Sequence, residues 1–152
     1  MDLREIMLVL HIAGVGAWLG GNVIQAMVPT MAAKQGEETA AGWYRIAGRL
    51  STRLYMPAAI LILVTGVILV LQSGEAYSFG SVFVTMGFAM IVIGALLGKF
   101  VFEPGSERAA EAVESGDQGA IKTAVSRLAT FGTVDTLLLL FTITAMVVRL
   151  GA

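Results

Sequence analysis

Residues 3–28 read LREIMLVLHIAGVGAWLGGNVIQAMV, and no charged residue lies between Glu5 and Lys34. A helix needs about 20 apolar residues to cross the ~30 Å hydrocarbon core of a bilayer. This stretch meets that length and is apolar on nearly every side, as a lipid-facing helix must be. It also outruns the 7–15-residue apolar region of a secretory signal, so it reads as a span and not as a cleaved leader. Three more stretches of the same kind follow, at about 55–71, 79–102 and 124–148. None shows the strict alternation of membrane β-strands. The fold class expected is all-α: one membrane domain over residues 1–152, an antiparallel four-helix bundle with short connections.

Composition agrees with that reading. The 152 residues are 57% hydrophobic and 14% charged. Soluble domains have roughly 45–50% apolar and about 25% charged residues, and a chain this short has too little interior to hide the excess. The net charge of −1 offers nothing to nucleic acid. With no cysteine and a single histidine, His11, the chain excludes disulfides, thiolate metal sites, covalent haem attachment and multi-histidine cages. It carries no Walker loop, HExxH, nucleophile elbow or dinucleotide fingerprint.

Basic residues orient the spans. The first connection carries Lys34, Arg45, Arg49 and Arg53, and the third carries Lys99, Arg108, Lys122 and Arg127. The second, Ser73 to Gly80, carries none, and the ends carry Arg4 and Arg149. By the positive-inside rule both basic loops are cytoplasmic and both termini lie outside, in a bacterial-type plasma membrane. Arg45, Arg49 and Arg53 share one helical face beside Trp43 and Tyr44, which reads as an interfacial helix at the headgroups. Pro104-Gly105 reads as the end of span three, Ser106 as an N-cap and Gly116-Asp117 as a break. Gly94 and Gly98 form a GxxxG pair, suited to packing within the bundle or to a homo-oligomer.

Chemistry concentrates in span one. His11, Gly14, Trp18, Gly21 and Gln25 fall at i, i+3, i+7, i+10 and i+14, a single stripe. Polar groups inside lipid need partners, so the stripe should face the bundle. Its glycines would admit a neighbouring helix or a flat ligand. His11 lies about 9–12 Å deep at 1.5 Å per residue. Such an imidazole ligates haem iron or copper, relays a proton, or bonds a polar group on another helix. By depth, Met86 and Met146 are candidates for a second axial ligand. Asp135, inside span four, would cost at least ~2.5–3.5 kcal/mol if ionised there. It should be protonated or paired, with Trp18 or Asn22 as donors at its level, or with Arg49, Arg53 or Lys99 snorkelling inward. It acts either as a proton handler or as a polar clamp between spans one and four.

At these residues the chain resembles small four-helix membrane proteins, among them the copper-resistance D-type proteins and the HemJ-type protoporphyrinogen oxidases. The resemblance lies in His11, Trp18 and Gly20-Gly21, in Arg53-Leu54-Tyr55-Met56-Pro57 with Gly66, and in the layout of Arg127, Asp135 and Arg149. In the HemJ-type enzymes the first-helix histidine is implied as a haem ligand, which makes His11 a candidate here. Ser81 to Gly98 lacks the Trp and Lys that those oxidases carry in span three. The leading expectation is a b-type haem held by His11, with Gly14, Trp18 and Gly21 lining the macrocycle and Asn22, Asp135 and Arg53 nearby, in a redox role. The alternatives are a non-enzymatic subunit of a larger membrane complex and a small copper or proton transporter.

Overall fold

A computed structural model of the chain describes residues 2–151, and among these there are six α-helices and no strand. Helix α1 covers Leu3–Gln35. A capping box starts it: Glu5 N–H donates to Asp2 Oδ1 (2.8 Å) and Asp2 N–H donates to Glu5 Oε2 (3.0 Å). It runs through Pro29 and stops at Gly36, whose φ of 120° suits glycine alone. Helix α2 (Glu37–Leu50), a π-helical turn (Ser51–Tyr55) and α3 (Met56–Leu71) form one continuous rod. Helix α4 (Val82–Leu97), a second π-helical turn (Gly98–Phe102) and α5 (Glu103–Ser115) form another. Gly116, left-handed at φ 68°, breaks the chain. Asp117 then caps α6 (Gln118–Val147), accepting from Gly119 N–H (2.9 Å) and Ala120 N–H (3.0 Å).

The four rods are each long and apolar enough to cross a membrane. In their most apolar windows no more than 28% of residues are buried, so most side chains face outward, as lipid-facing residues do. Helix α1 packs on α3 and α6, and α4 packs on α6, while α3 and α4 touch only sparsely. That leaves one loose seam in an otherwise closed ring. The last turn of the chain covers the start of α4: Phe83 N–H donates to Leu150 O (3.1 Å) and Val82 N–H to Gly151 O (3.4 Å). These bonds satisfy two of the amides every helix start leaves free.

Beyond the π-turns the rods continue as a second layer. Ala40, Ala41 and Tyr44 of α2 bury against Ala109, Ala110 and Val113 of α5, with Ile121, Val125 and Leu128 of α6 alongside. The alanine and tyrosine face of α2 is thus covered by α5, leaving Ile46 and the arginines on its outer side. Arg45, Arg49 and Arg53 do project outward together, and Arg45 pairs with Glu114 at 2.5 Å.

Pro104-Gly105 does not end span three, which corrects the expectation. The π-turn immediately before it widens the carbonyl ladder, which gives room where a proline ring would otherwise strike the preceding turn. Gly105 serves packing instead: a Cβ there would lie 2.9 Å from Leu128 Cδ2 of α6. Ser106 is buried in α5 and is no N-cap; its Cβ lies 3.4 Å from where Gly48 of α2 would carry one. Gly94 receives the Trp18 ring and Gly98 the Ser51 hydroxyl, so the GxxxG pair packs within the bundle.

Candidate functional site

His11 of α1 meets Thr65 of α3 with Nδ1 3.0 Å from the hydroxyl oxygen. Thr65 Oγ1 also donates to Leu61 O at 2.6 Å. A hydroxyl has one proton, and it is committed to that carbonyl. In the tautomer protonated at Nδ1 the imidazole donates to Thr65 Oγ1, and the ring also meets the Ile62 backbone. Gly66 lets the ring approach: a Cβ there would sit 3.3 Å from His11 Cε1. Thr65 is itself 2% exposed, so water does not compete for the bond.

His11 lines a half-open cleft of about 180 Å³ in the seam between α3 and α4. Leu8, Val70, Gly87, Phe88 and Met146 are among its walls, so four helices contribute and His11 is the one basic or acidic residue in the lining. Met146 is set against Gly87, where a Cβ would lie 2.6 Å from its Cε. Of the two methionines expected near His11, Met146 lines this cleft. Met86 packs instead against the cluster of Phe83, Val84 and Ala145.

The second polar centre surrounds Asp135, 2% exposed. Its Oδ2 accepts from Trp18 Nε1–H (3.1 Å) and from Asn22 Nδ2–H (2.8 Å), the donors expected at its depth. The Asn22 amide also lies 3.1 Å from Thr136 Oγ1. Tyr55 O–H donates to Asn22 Oδ1 (2.9 Å), and Gln25 Nε2–H donates to Tyr55 (3.1 Å). Tyr55 belongs to the first π-turn and stands edge-on to Trp18, ring centres 5.9 Å apart. The Oδ1 atom of Asp135 is buried without a hydrogen-bond partner. No snorkelling cation reaches it: Lys99 pairs with Glu103 (3.2 Å), and Arg49 and Arg53 are exposed.

The stripe on α1 thus faces the bundle, but its glycines admit protein and not a flat ligand. A Cβ at Gly14 would fall 2.8 Å from Ile62 Cγ1, and one at Gly21 would fall 2.8 Å from the Tyr55 hydroxyl oxygen. Trp18 is 3% exposed and committed to Asp135 and Gly94. A macrocycle lying across Gly14, Trp18 and Gly21 is therefore corrected: helix α3 and the Tyr55 ring fill that face. His11 stands apart, one turn beyond. Thr65 and Thr136 went unread in the sequence, because a lone threonine in an apolar span satisfies itself on its own helix and carries no periodic signal. Among the described residues no group of three His, Asp or Glu side chains could hold a metal ion. No family model, no curated protein and no solved structure matches the chain.

Proposed function

We propose that this integral membrane helical protein binds a b-type haem through Nε2 of His11 and serves a redox role. The observation that carries the reading is His11, held by Thr65 at Nδ1 and lining an apolar cleft. Thr65 Oγ1, its own proton on Leu61 O, accepts from Nδ1–H in this reading, and Nε2 is the nitrogen that would ligate beside the apolar cleft. Histidines that ligate metals are oriented in this way, by a partner on the other ring nitrogen. The donor set fits haem iron, with the Met146 thioether in the same cleft as the candidate second ligand. The half-open cleft's 180 Å³ is below the roughly 300–1,000 Å³ of common ligand pockets. The seam between α3 and α4, where the two helices touch only sparsely, would have to widen to admit the ring. Bound haem supplies one-electron chemistry. The chain's part is to hold His11 in register, to exclude water with Leu8, Val70 and Phe88, and to keep the site within the bilayer.

The resemblance of span one to the HemJ-type proteins supports the same assignment. A protein-built copper site is less well supported, since the sequence has a single histidine and no Asp or Glu lines the cleft. The distribution of Lys and Arg supports both termini outside and both basic connections in the cytoplasm.

The test is an absorption spectrum of the detergent-purified protein from a haem-replete host, oxidised and dithionite-reduced. A Soret band with sharpened α and β bands on reduction is expected, and His11→Ala should abolish it. A spectrum without chromophore overturns the haem reading.

A further inference from the structure

We propose that Asp135 is a proton-binding site inside the bundle, one that exchanges its proton through Tyr55 toward the end of the bundle that carries the α2–α5 layer. The argument is one of unsatisfied valence. Oδ2 is saturated by two neutral N–H donors, while Oδ1 has none and is cut off from water. An ionised carboxylate needs donors or a cation on both oxygens in such a place.

No cation faces it from any packed element. Helix α1 offers Trp18 and Asn22, both neutral. The first π-turn offers Tyr55, which bonds Asn22. Of the nearest charges, Arg49 and Arg53 are exposed, Lys99 is held by Glu103, and Arg127 lies over the Phe131 ring at 5.9 Å. The form that fits this setting is the neutral acid, with its proton on Oδ1.

A merely structural acid would be sealed on every side. This one is not, because its network runs in one direction. From Asn22 it passes to the Tyr55 hydroxyl and then to Gln25, each link nearer the α2 end of the bundle. Tyr55 sits in a π-turn, a local departure from helical geometry that recurs at functional sites. The Asn22 amide cannot itself pass a proton, but it joins the two hydroxylic groups. For the proton to pass, that side chain must therefore swing aside so that phenol and carboxyl, or a water between them, exchange it. The chemistry is a proton alone: water at the α2 end supplies or accepts it, and no electron moves.

The experiment is infrared spectroscopy of the full chain in lipid vesicles, with carboxyl-13C aspartate incorporated. The chain has three aspartates, Asp2, Asp117 and Asp135. Asp2 and Asp117 are exposed helix caps, so an isotope-shifted band from a protonated carboxyl at neutral pH reports Asp135. The band is expected in the native protein, and it is expected to shift within minutes of transfer to D2O. In Tyr55→Phe the band should persist while its exchange slows several-fold. Absence of the band at neutral pH overturns proton binding, and the labelled native chain gives that answer without any variant having to fold. A band that never exchanges, or one that exchanges as fast in Tyr55→Phe, overturns the route.

Discussion

At the residue scale, the assignment of His11 depends on a single hydroxyl. Removing the Thr65 oxygen while keeping its shape, in Thr65→Val, takes away the side-chain partner 3.0 Å from His11 Nδ1. A buried donor without a partner costs about 1–3 kcal/mol. The melting temperature in detergent is therefore expected to fall in Thr65→Val and to be largely restored in Thr65→Ser. If haem is bound, loss of the orienting partner should also weaken its retention about 10–100-fold, as for other outer partners of ligating histidines. An unchanged melting temperature in Thr65→Val would mean that the 3.0 Å contact carries no weight. Asp135 shows what a sequence discloses at this scale. Its cost in lipid demanded partners, and antiparallel depth brought Trp18 and Asn22 level with it. The vacancy at Oδ1 was not legible, because it depends on where Tyr55 and Thr136 spend their own hydrogen bonds.

At the scale of helices, small residues decide how closely the rods approach, and not every glycine does the same work. A Cβ at Gly94 would overlap the Trp18 ring, whereas Gly20 has nothing within 4 Å of that position. Gly94→Ala should therefore destabilise the bundle by about 1–3 kcal/mol, the usual cost of overpacking. Gly20→Ala should be neutral or raise stability by about 0.5–1 kcal/mol, since it removes a flexible residue from a helix interior. Thermal unfolding of the two variants side by side checks the pair, and equal melting temperatures would contradict the placement of Trp18. Span cores were readable because lipid imposes continuous apolar stretches. Span ends were not. Pro104-Gly105 and Pro29 carry strong stop signals, yet both lie within continuous helix. A π-turn relieves the first, and the long rods gain more from packing α2 on α5 and α6 than a loop would give. Alternation of alanine with charge in those segments resembles a solvated face until the partner helix is known.

At the scale of the whole molecule, the bundle is a ring of rods with one loose seam, extended at one end by a layer whose outer surfaces carry the charge. The α3–α4 connection lies at the opposite end of the bundle and is free of Lys and Arg between Ser73 and Gly80. Charge near span ends sets orientation during insertion, so the proposed orientation puts the charged layer in the cytoplasm. The chain has no native cysteine, which makes the point directly measurable. Ala76, in the α3–α4 connection, and Ala120, in the first turn of α6, are both exposed and lie at opposite ends. With a membrane-impermeant maleimide on intact cells, Ala76→Cys should be labelled and Ala120→Cys should react only after permeabilisation. The reverse pattern would overturn the orientation and leave the fold standing. Labelling of both from one side would overturn the fold itself, because four antiparallel spans cannot place successive connections on the same face.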